Sequence, residues 1–542
     1  MDRGPLDKFA SRPREGRRIA VIGAGIAGLA SAWLLSREHE VVLYEGGDYL
    51  GGHTHTVDIE VDGQCFPVDT GFLVFNRRTY PNLCALFALL GVDAVESEMS
   101  FGVSLASNDL EWAGSDLASL FAQRRNLLRP AFWQMLQDIR RFNRETTRMA
   151  REGTTPDMAL GDYLLSHGYG HAFRDWYLIP MAAAIWSCPT RSMLAYPLAT
   201  FVRFCHNHGL LQVFDRPRWY TVRNGARSYV DKLANHIGDV RLRAPVLDVR
   251  REAGFGVAVR TRDGVEGFDE VVFACHSDQT LALLGADASE VERAVLGAVK
   301  YQHNDAWLHA DTRLLPRRRG VWSAWNYLSG EGAPGERPVS VSYLLNRLQP
   351  LPVSTPVVLS LNPLVEPAAD TVLGRYGYAH PVFDQGAIDA QARLPALQGQ
   401  RNSWFAGAWT GYGFHEDGLK SAVAVAAALG VVALLGVARA GEASPRWTQR
   451  TALTALAAAV VGLGLTGVGL PARAEINGLE IVAPAGPGGG YDQLARAVQQ
   501  ALESERLATG VQVTNIPGAG GTIGLAQFVT KGARNPGFLV AG

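Results

Sequence analysis

Four apolar residues, Ile19-Ala-Val-Ile22, run into Gly23-Ala-Gly-Ile-Ala-Gly28, and apolar residues then recur with helical spacing as far as Ser36. A second run, Glu40-Val-Val-Leu-Tyr44, ends at Glu45. A short unbroken apolar run predicts a buried strand and a longer periodic one a helix, so residues 18–45 predict strand, tight turn, helix, strand. That is the opening of an α/β fold with a parallel sheet. Up to about residue 430 helical and strand periods mix. Residues 421–438 then carry no charge in 18 positions, which predicts a buried helix of the main domain. A polar linker occupies 439–450, with Gly441, Ser444 and Pro445.

Residues 451–470 are 20 positions without a charge. Arg446 and Arg450 precede them and Pro471-Ala-Arg-Ala474 closes them, which is the three-part pattern of a secretory signal peptide standing inside the chain. Read in place, the run would extend about 30 Å as a helix, enough to cross a bilayer. The arginines before it, with Arg439, would keep residues 1–440 cytoplasmic and put the C-terminal segment in the periplasm, with the inner membrane between. Residues 1–17 read as a disordered lead-in without an apolar core. Beyond Glu475 a new αβ-like segment begins.

At 542 residues the chain has length for about three or four domains. The net charge is −1 and apolar residues make up 47%. This balance excludes the basic footprint of a nucleic-acid-binding protein and the composition of a disordered one. Lys8, Lys232, Lys300, Lys420 and Lys531 are its lysines, so arginine carries nearly all the positive charge. The five cysteines, Cys65, Cys84, Cys188, Cys205 and Cys275, form no CxxC pair, so a disulfide framework or structural zinc is not expected and a reducing compartment is.

The glycines of the first turn carry a specific chemistry. Gly23 permits the tight turn, Gly25 lets the backbone approach a pyrophosphate, and Gly28 lets helix and strand pack closely. With Ala24, Ile26 and Ala27 they form a dinucleotide loop whose phosphates would sit on the helix N-terminus. Glu45, 22 residues after Gly23, stands where an acid accepts hydrogen bonds from the adenosine ribose.

Past Glu45, the run Gly46-Gly-Asp-Tyr-Leu-Gly51-Gly52-His53 resembles the second glycine signature of the FAD-dependent amine oxidase and phytoene desaturase superfamily. Many relatives carry Arg where this chain has His53, and the charge there would depend on pH. The resemblance implies FAD as cofactor. It extends to Asp69-Thr-Gly71, like the D-x-G turn beside the flavin, to Val246 at the adenine side, and to the run from Trp404 to Lys420. In that last run Gly407, Phe414, His415, Gly418 and Leu419 would meet the flavin, and a helix opening near Gly418 would face its N1–C2=O edge. Ala408 stands where relatives have an acid. The implied fold is a Rossmann-like FAD-binding domain (about 18–75, 225–285 and 400–435, within 18–438) interleaved with an α+β substrate domain (76–224 and 286–399).

Residues 18–430 are similar to the flavin-oxidase domain fused to plant cyclopropane fatty acid synthases and to its free-standing bacterial relatives. The matching runs include Gly71-Phe-Leu-Val-Phe-Asn-Arg77, Thr79-Tyr-Pro-Asn82, Ile185-Trp-Ser-Cys-Pro189 and Trp322-Ser-Ala-Trp-Asn326. This implies work near unsaturated, methyl-branched or cyclopropane acyl chains, with a cyclopropane synthase-like lipid methyltransferase as a partner. The aromatics Phe132, Trp133, Trp176, Tyr177, Trp186, Trp219, Trp322 and Trp325 would line an apolar tunnel or fill the core.

Flavin dehydrogenation asks the protein for position and electronic tuning more than for reactive side chains. Amine oxidases often hold a lysine against N5 through water, and Lys300 is the candidate here. His415, Glu416 and Asp417 are acid–base candidates, with helix capping as the other role for Asp417. His206 and His208 have the spacing of two ligands on one strand, yet no third or fourth ligand stands near them, so no metal site is expected. Amine oxidation and a flavin-bearing partner without turnover are the other flavoprotein readings.

The segment 475–542 resembles the start of a periplasmic solute-binding receptor of the tripartite tricarboxylate transporter family. The resemblance implies a truncated α/β periplasmic-binding-protein-like fragment that holds a carboxylate through its glycine-rich loops at 484–492 and 518–522. A transport receptor fused to a flavoprotein is therefore a further reading of the whole chain.

Overall fold

A computed structural model describes residues 16–186, 193–211, 217–252, 256–331 and 338–431, and short pieces between 476 and 540. The lead-in to residue 15, the linker, the apolar run 451–470 and Ser187 to Pro189 lie outside the described residues. The chain forms two compact units, 1–452 and 453–542.

In the first unit, five parallel strands make one sheet in the order Asp239–Arg241, Glu40–Tyr44, Arg18–Ile22, Glu270–Phe273, Ser403–Phe405. Side chains alternate across a strand, and here both faces are apolar. Ile19 and Val21 enter one core cluster with helices Ile26–Leu35, Arg227–Ala234 and His415–Ala428, while Ala20 and Ile22 enter a second on the opposite face.

A second sheet of seven strands runs Val372–Val382, Lys300–His309, Val358–Leu361, Val339–Leu344, Trp325–Ser329, Phe101–Leu105, Leu110–Ala113. Its contacts are antiparallel except where Trp325–Ser329 meets Phe101–Leu105. Helices Pro130–Glu152, Leu160–Ser166 and Leu198–Asn207 contribute to further apolar clusters of this unit.

Two local expectations are corrected here. The helix expected at 421–438 begins at His415 and ends at Ala428, because Glu416 and Asp417 suit a first helical turn and Gly430 takes φ +89°. His206 and His208 are not on a strand: helix Leu198–Asn207 contains the first and His208 caps it, since the apolar residues before them recur at helical spacing.

In the second unit Glu480–Ala483 pairs in parallel with both Gln512–Asn515 and Phe538–Val540, and Ile476–Asn477 pairs in parallel with Ala508–Thr509. Parallel neighbours need crossover connections, which is α/β logic. Both glycine-rich loops of this segment lie outside the described residues.

One buried ion cluster ties the first sheet to its flanking layer. The Arg251 side chain is 1% exposed and meets Glu292, 3% exposed, and Asp287 at 2.7 Å. Its guanidinium also reaches Ser403 at 3.3 Å. Removing one partner from a buried pair strands the other charge. Arg251→Met should therefore lower unfolding stability by about 3–5 kcal/mol in a denaturant titration.

Candidate functional site

A cavity of about 960 Å³ runs between the C-terminal ends of the parallel strands and the seven-stranded sheet. Gly23 to Ala27, Glu45, Gly51 to His53 and Ala244 to Val246 line one end. Gly23 sits at φ +100°, and a Cβ on Gly28 would fall 1.7 Å from the Gly23 carbonyl oxygen, so only glycine lets the helix start this close to its strand. A Cβ on Gly25 would meet no protein atom within 4 Å. That space belongs to the cavity.

The loop is fastened from behind. Glu45 accepts hydrogen bonds from the Ala24 and Gly47 N–H groups, each at 2.8 Å, while still lining the cavity. The Gly51 N–H donates to the Ala24 carbonyl at 2.8 Å. Gly52 comes so near that its Cβ would lie 3.1 Å from Gly25 Cα. Gly71 passes His53 equally tightly, with a Cβ position 2.0 Å from the His53 carbonyl oxygen.

His53 faces a group of rings: His380 at 5.2 Å, Tyr378 at 5.3 Å and His276 at 6.1 Å between centroids. Its Nε2 is buried without a partner among the described residues. Burial drives its pKa well below the ordinary value and holds His380 near about 4. The site therefore offers neutral imidazoles where a cationic Arg was the family pattern.

Gly407 to Trp409 and Tyr412 to His415 line the middle of the cavity. Asp417 shapes this loop by accepting the Tyr412 and Phe414 N–H groups at 3.0 and 3.1 Å. The Gln391 amide donates to the Trp409 and Gly411 carbonyls. Glu416 turns away and caps helix Pro81–Leu90 of the neighbouring layer, accepting from the Asn82 and Leu83 N–H groups. Both carboxylates are thus engaged in architecture. His415 Nε2 bonds to Thr54 Oγ1 at 2.7 Å and Tyr229 OH at 3.2 Å, and its ring stacks on Phe72 at 3.8 Å. Burial lowers its pKa to about 3. It is neutral at physiological pH and holds no imidazolium proton to donate.

Several expected contacts stand elsewhere. Lys300 is corrected: its side chain is 71% exposed and paired with Asp384 at 2.9 Å, while the next residue, Tyr301, lines the cavity. Asp69 is corrected too. It is 1% exposed and does not line the cavity. Its carboxylate instead gathers the Thr56 hydroxyl at 2.5 Å, the Ala226 N–H at 2.9 Å and the Gln349 amide at 2.8 Å. Gly28, Gly418 and Leu419 lie behind the lining, where Gly418 packs against Ile26 and Ala27. Ala24, Ile26, Ala27, Val246, Gly407 and Phe414 do line it. Thr54, Thr70, Tyr378 and His380 escaped the sequence reading, because an isolated hydroxyl or ring has no motif.

The far end is apolar and aromatic: Met99, Phe204, Leu210, Trp219, Leu359 and Leu361 line it with Trp325 and Tyr343. Of the aromatics expected in a tunnel, Trp219 and Trp325 are there. Phe132 and Trp176 fill a separate core cluster, and Trp133 is 45% exposed. The buried Trp325 indole N–H has no partner among the described residues.

Residues 26–289 match the family model of flavin containing amine oxidoreductases. A carotenoid phi-ring synthase of Chlorobaculum tepidum is 29% identical over 171 residues, 31% of this chain and 25% of that protein. The chain thus spans about a quarter of that relative's length. Among solved structures, a putative protoporphyrinogen oxidase from Exiguobacterium sp. superposes with a TM-score of 0.55 at 17% identity, covering 77% of this chain and 99% of the other. A CLA-producing fatty acid isomerase from P. acnes gives 0.54 at 14% identity, over 76% and 98%. These two show the fold. FAD is the cofactor this chain is built for, and the cavity fits it. Two helix N-termini meet there, a glycine leaves space for a pyrophosphate, and the His53 Nε2 and Trp409 Nε1 atoms lie buried without partners among the described residues.

Gly25→Val should leave the fold intact, since no protein atom is displaced, yet yield colourless protein. Flavin absorbance and melting temperature measured together check both halves of that outcome. Burial of the histidines sets a pH dependence as well. His208 and His380 titrate near about 4 when folded, against about 6.5 when unfolded. The unfolded chain therefore binds more protons between those values, and stability falls as pH drops from about 6.5 towards 4. Urea titrations across that window should show the decline, and His208→Phe, which keeps the stack on Phe204, should make it shallower.

Proposed function

We propose that this amine oxidase- and desaturase-like flavoprotein, an FAD-dependent oxidoreductase, takes hydride from a C–H bond of a long apolar substrate such as an unsaturated or modified fatty acyl lipid. One observation carries the reading: a single cavity passes from the glycine-lined nucleotide end into an aromatic and aliphatic chamber. Among the described lining residues Glu45 is the only carboxylate, and it belongs to the nucleotide end. The names of the carotenoid synthase and the fatty acid isomerase, both enzymes of long unsaturated chains, support the same class.

Bound FAD would supply the hydride acceptor. Gly23 to Ala27, Gly51 to His53 and Val246 would hold its nucleotide half, and Gly407 to His415 the flavin half. The N-terminus of helix His415–Ala428 would place its positive end towards charge that develops there. Thr54 and Tyr229 fix the His415 ring, and Phe72 presses on its face, so the ring acts as a positioned wall of the site. The apolar chamber would exclude water from the reacting carbon. Trp325 would offer its N–H to an oxygen of the substrate. A lipid methyltransferase partner, a cytoplasmic location for residues 1–440 and a membrane contact through 451–470 belong to this proposal as well.

Oxidation of an amine is the second reading, favoured by the family whose model matches. Anaerobic titration separates the two: bleaching of the flavin band by oleate-containing phospholipid and not by putrescine supports the first, and the reverse result overturns it. Lys300→Met should leave the rate of flavin reduction within about two-fold, because the side chain is solvated. Trp325→Phe should raise KM about five-fold for an oxygen-bearing substrate with kcat unchanged, the size of one net hydrogen bond.

A further inference from the structure

Four large apolar side chains stand in water between residues 117 and 133: Leu117 is 75% exposed, Leu127 47%, Leu128 87% and Trp133 45%. None lines the cavity. Leu127, Leu128 and Trp133 adjoin where a short turn runs into the following helix. Phe121 stands 5.6 Å from the Trp133 ring, and the Trp133 indole N–H donates to the Leu127 carbonyl at 2.9 Å, which fixes the ring at the surface. The short helical turn Arg124–Leu128 presents Leu127 and Leu128 at its end, just before helix Pro130–Glu152 begins. The turn Arg319–Val321 packs beside helix Leu117–Leu120.

Charge surrounds the patch with one sign in excess. The segments around it carry six arginines, Arg124, Arg125, Arg129, Arg317, Arg318 and Arg319, against three carboxylates, Asp109, Glu111 and Asp116, the last of which caps helix Leu117–Leu120. Asp109 serves both Arg125 and Arg317, and Glu111 takes Arg318. Arg124 and Arg319 pair with no carboxylate among the described residues, while Arg129 donates to the Asn126 side-chain oxygen and the Asn108 carbonyl and feels the charge of Asp109. A monomer rarely leaves contiguous leucines beside an exposed tryptophan without a partner. An apolar tip with an indole at its shoulder and arginines around it matches the layers of a bilayer surface: acyl boundary, carbonyl zone, anionic headgroups.

We propose that this patch seats the protein on an anionic lipid surface, with Leu127 and Leu128 entering the acyl boundary, Trp133 at the interface, and Arg124 and Arg319 on headgroup phosphates. The inference stands apart from the substrate reading, since it uses no residue of the cavity. It also differs from any contact through residues 451–470, which substitutions at 127, 128 and 133 leave untouched.

The test uses the full chain and vesicles of phosphatidylcholine with or without an equal part of phosphatidylglycerol. Tryptophan quenching by brominated acyl chains should appear with the anionic vesicles, weaken with salt, and lose a component in Trp133→Phe. The double variant Leu127→Asp/Leu128→Asp should partition about ten-fold less while keeping its melting temperature. Quenching unchanged in Trp133→Phe, together with wild-type partitioning of the double variant, overturns the proposal. So does concentration-dependent dimerisation in sedimentation that the double variant abolishes, because a second copy would then cover the patch.

Discussion

Two helices begin side by side at the end of a parallel sheet, and the cavity exists because nothing but hydrogen separates their backbones from their neighbours. Gly28 lets the first helix lie on the Gly23 carbonyl, and Gly418 lets the last helix lie on Ile26 and Ala27. A methyl group at either place would push one N-terminus out of line. Backbone N–H groups at two helix starts then face one volume, and their dipoles make it receptive to an anion. The rest of the lining is arranged around that fact: loops at Gly51 to His53 and Gly407 to Phe414 close over the two starts, the first held by the Gly51 N–H on the Ala24 carbonyl and the second by the Asp417 carboxylate.

Burial decides the electrostatics of the interior. His53, His276, His380 and His415 all border the cavity, and desolvation lowers the pKa of each. A cluster of imidazoles this close could not hold several protons. The anionic half of a dinucleotide would therefore be met by dipoles and neutral rings. The apolar chamber beyond has the same character: what it selects is shape and length, with the Trp325 indole N–H among its few polar groups.

Much of this was legible in the sequence, and the errors share a cause. The strand–glycine–helix–acid pattern at 18–45 names its own geometry, because each glycine answers a steric demand. Lys300 failed by a single position: on strand Lys300–His309 neighbours face opposite sides, so Tyr301 enters the cavity and its predecessor points to water. Asp69 failed because a D-x-G pattern marks a turn without saying which way its carboxylate looks. It looks into the protein and joins residues 56, 226 and 349. Contacts of that separation leave no local trace. The two-residue spacing of His206 and His208 imitates a strand inside a helical run, and the glycine-rich approach to His415 hides the acidic first turn of its helix.

The sheet's connectivity also sets when this protein can be finished. Its first strand pairs with residues near 270, the edge strand arrives at Ser403–Phe405, and helix His415–Ala428 returns to lie on helix Ile26–Leu35. A chain leaving the ribosome thus carries its phosphate loop early but has no flavin half until residue 428 has emerged. Long-range closures of this kind are slow and leave apolar faces open while they wait. A ligand that spans both halves binds only the closed form and so draws assembly to completion. Flavin supply would then govern not only how fast the enzyme turns over but how much of it survives synthesis.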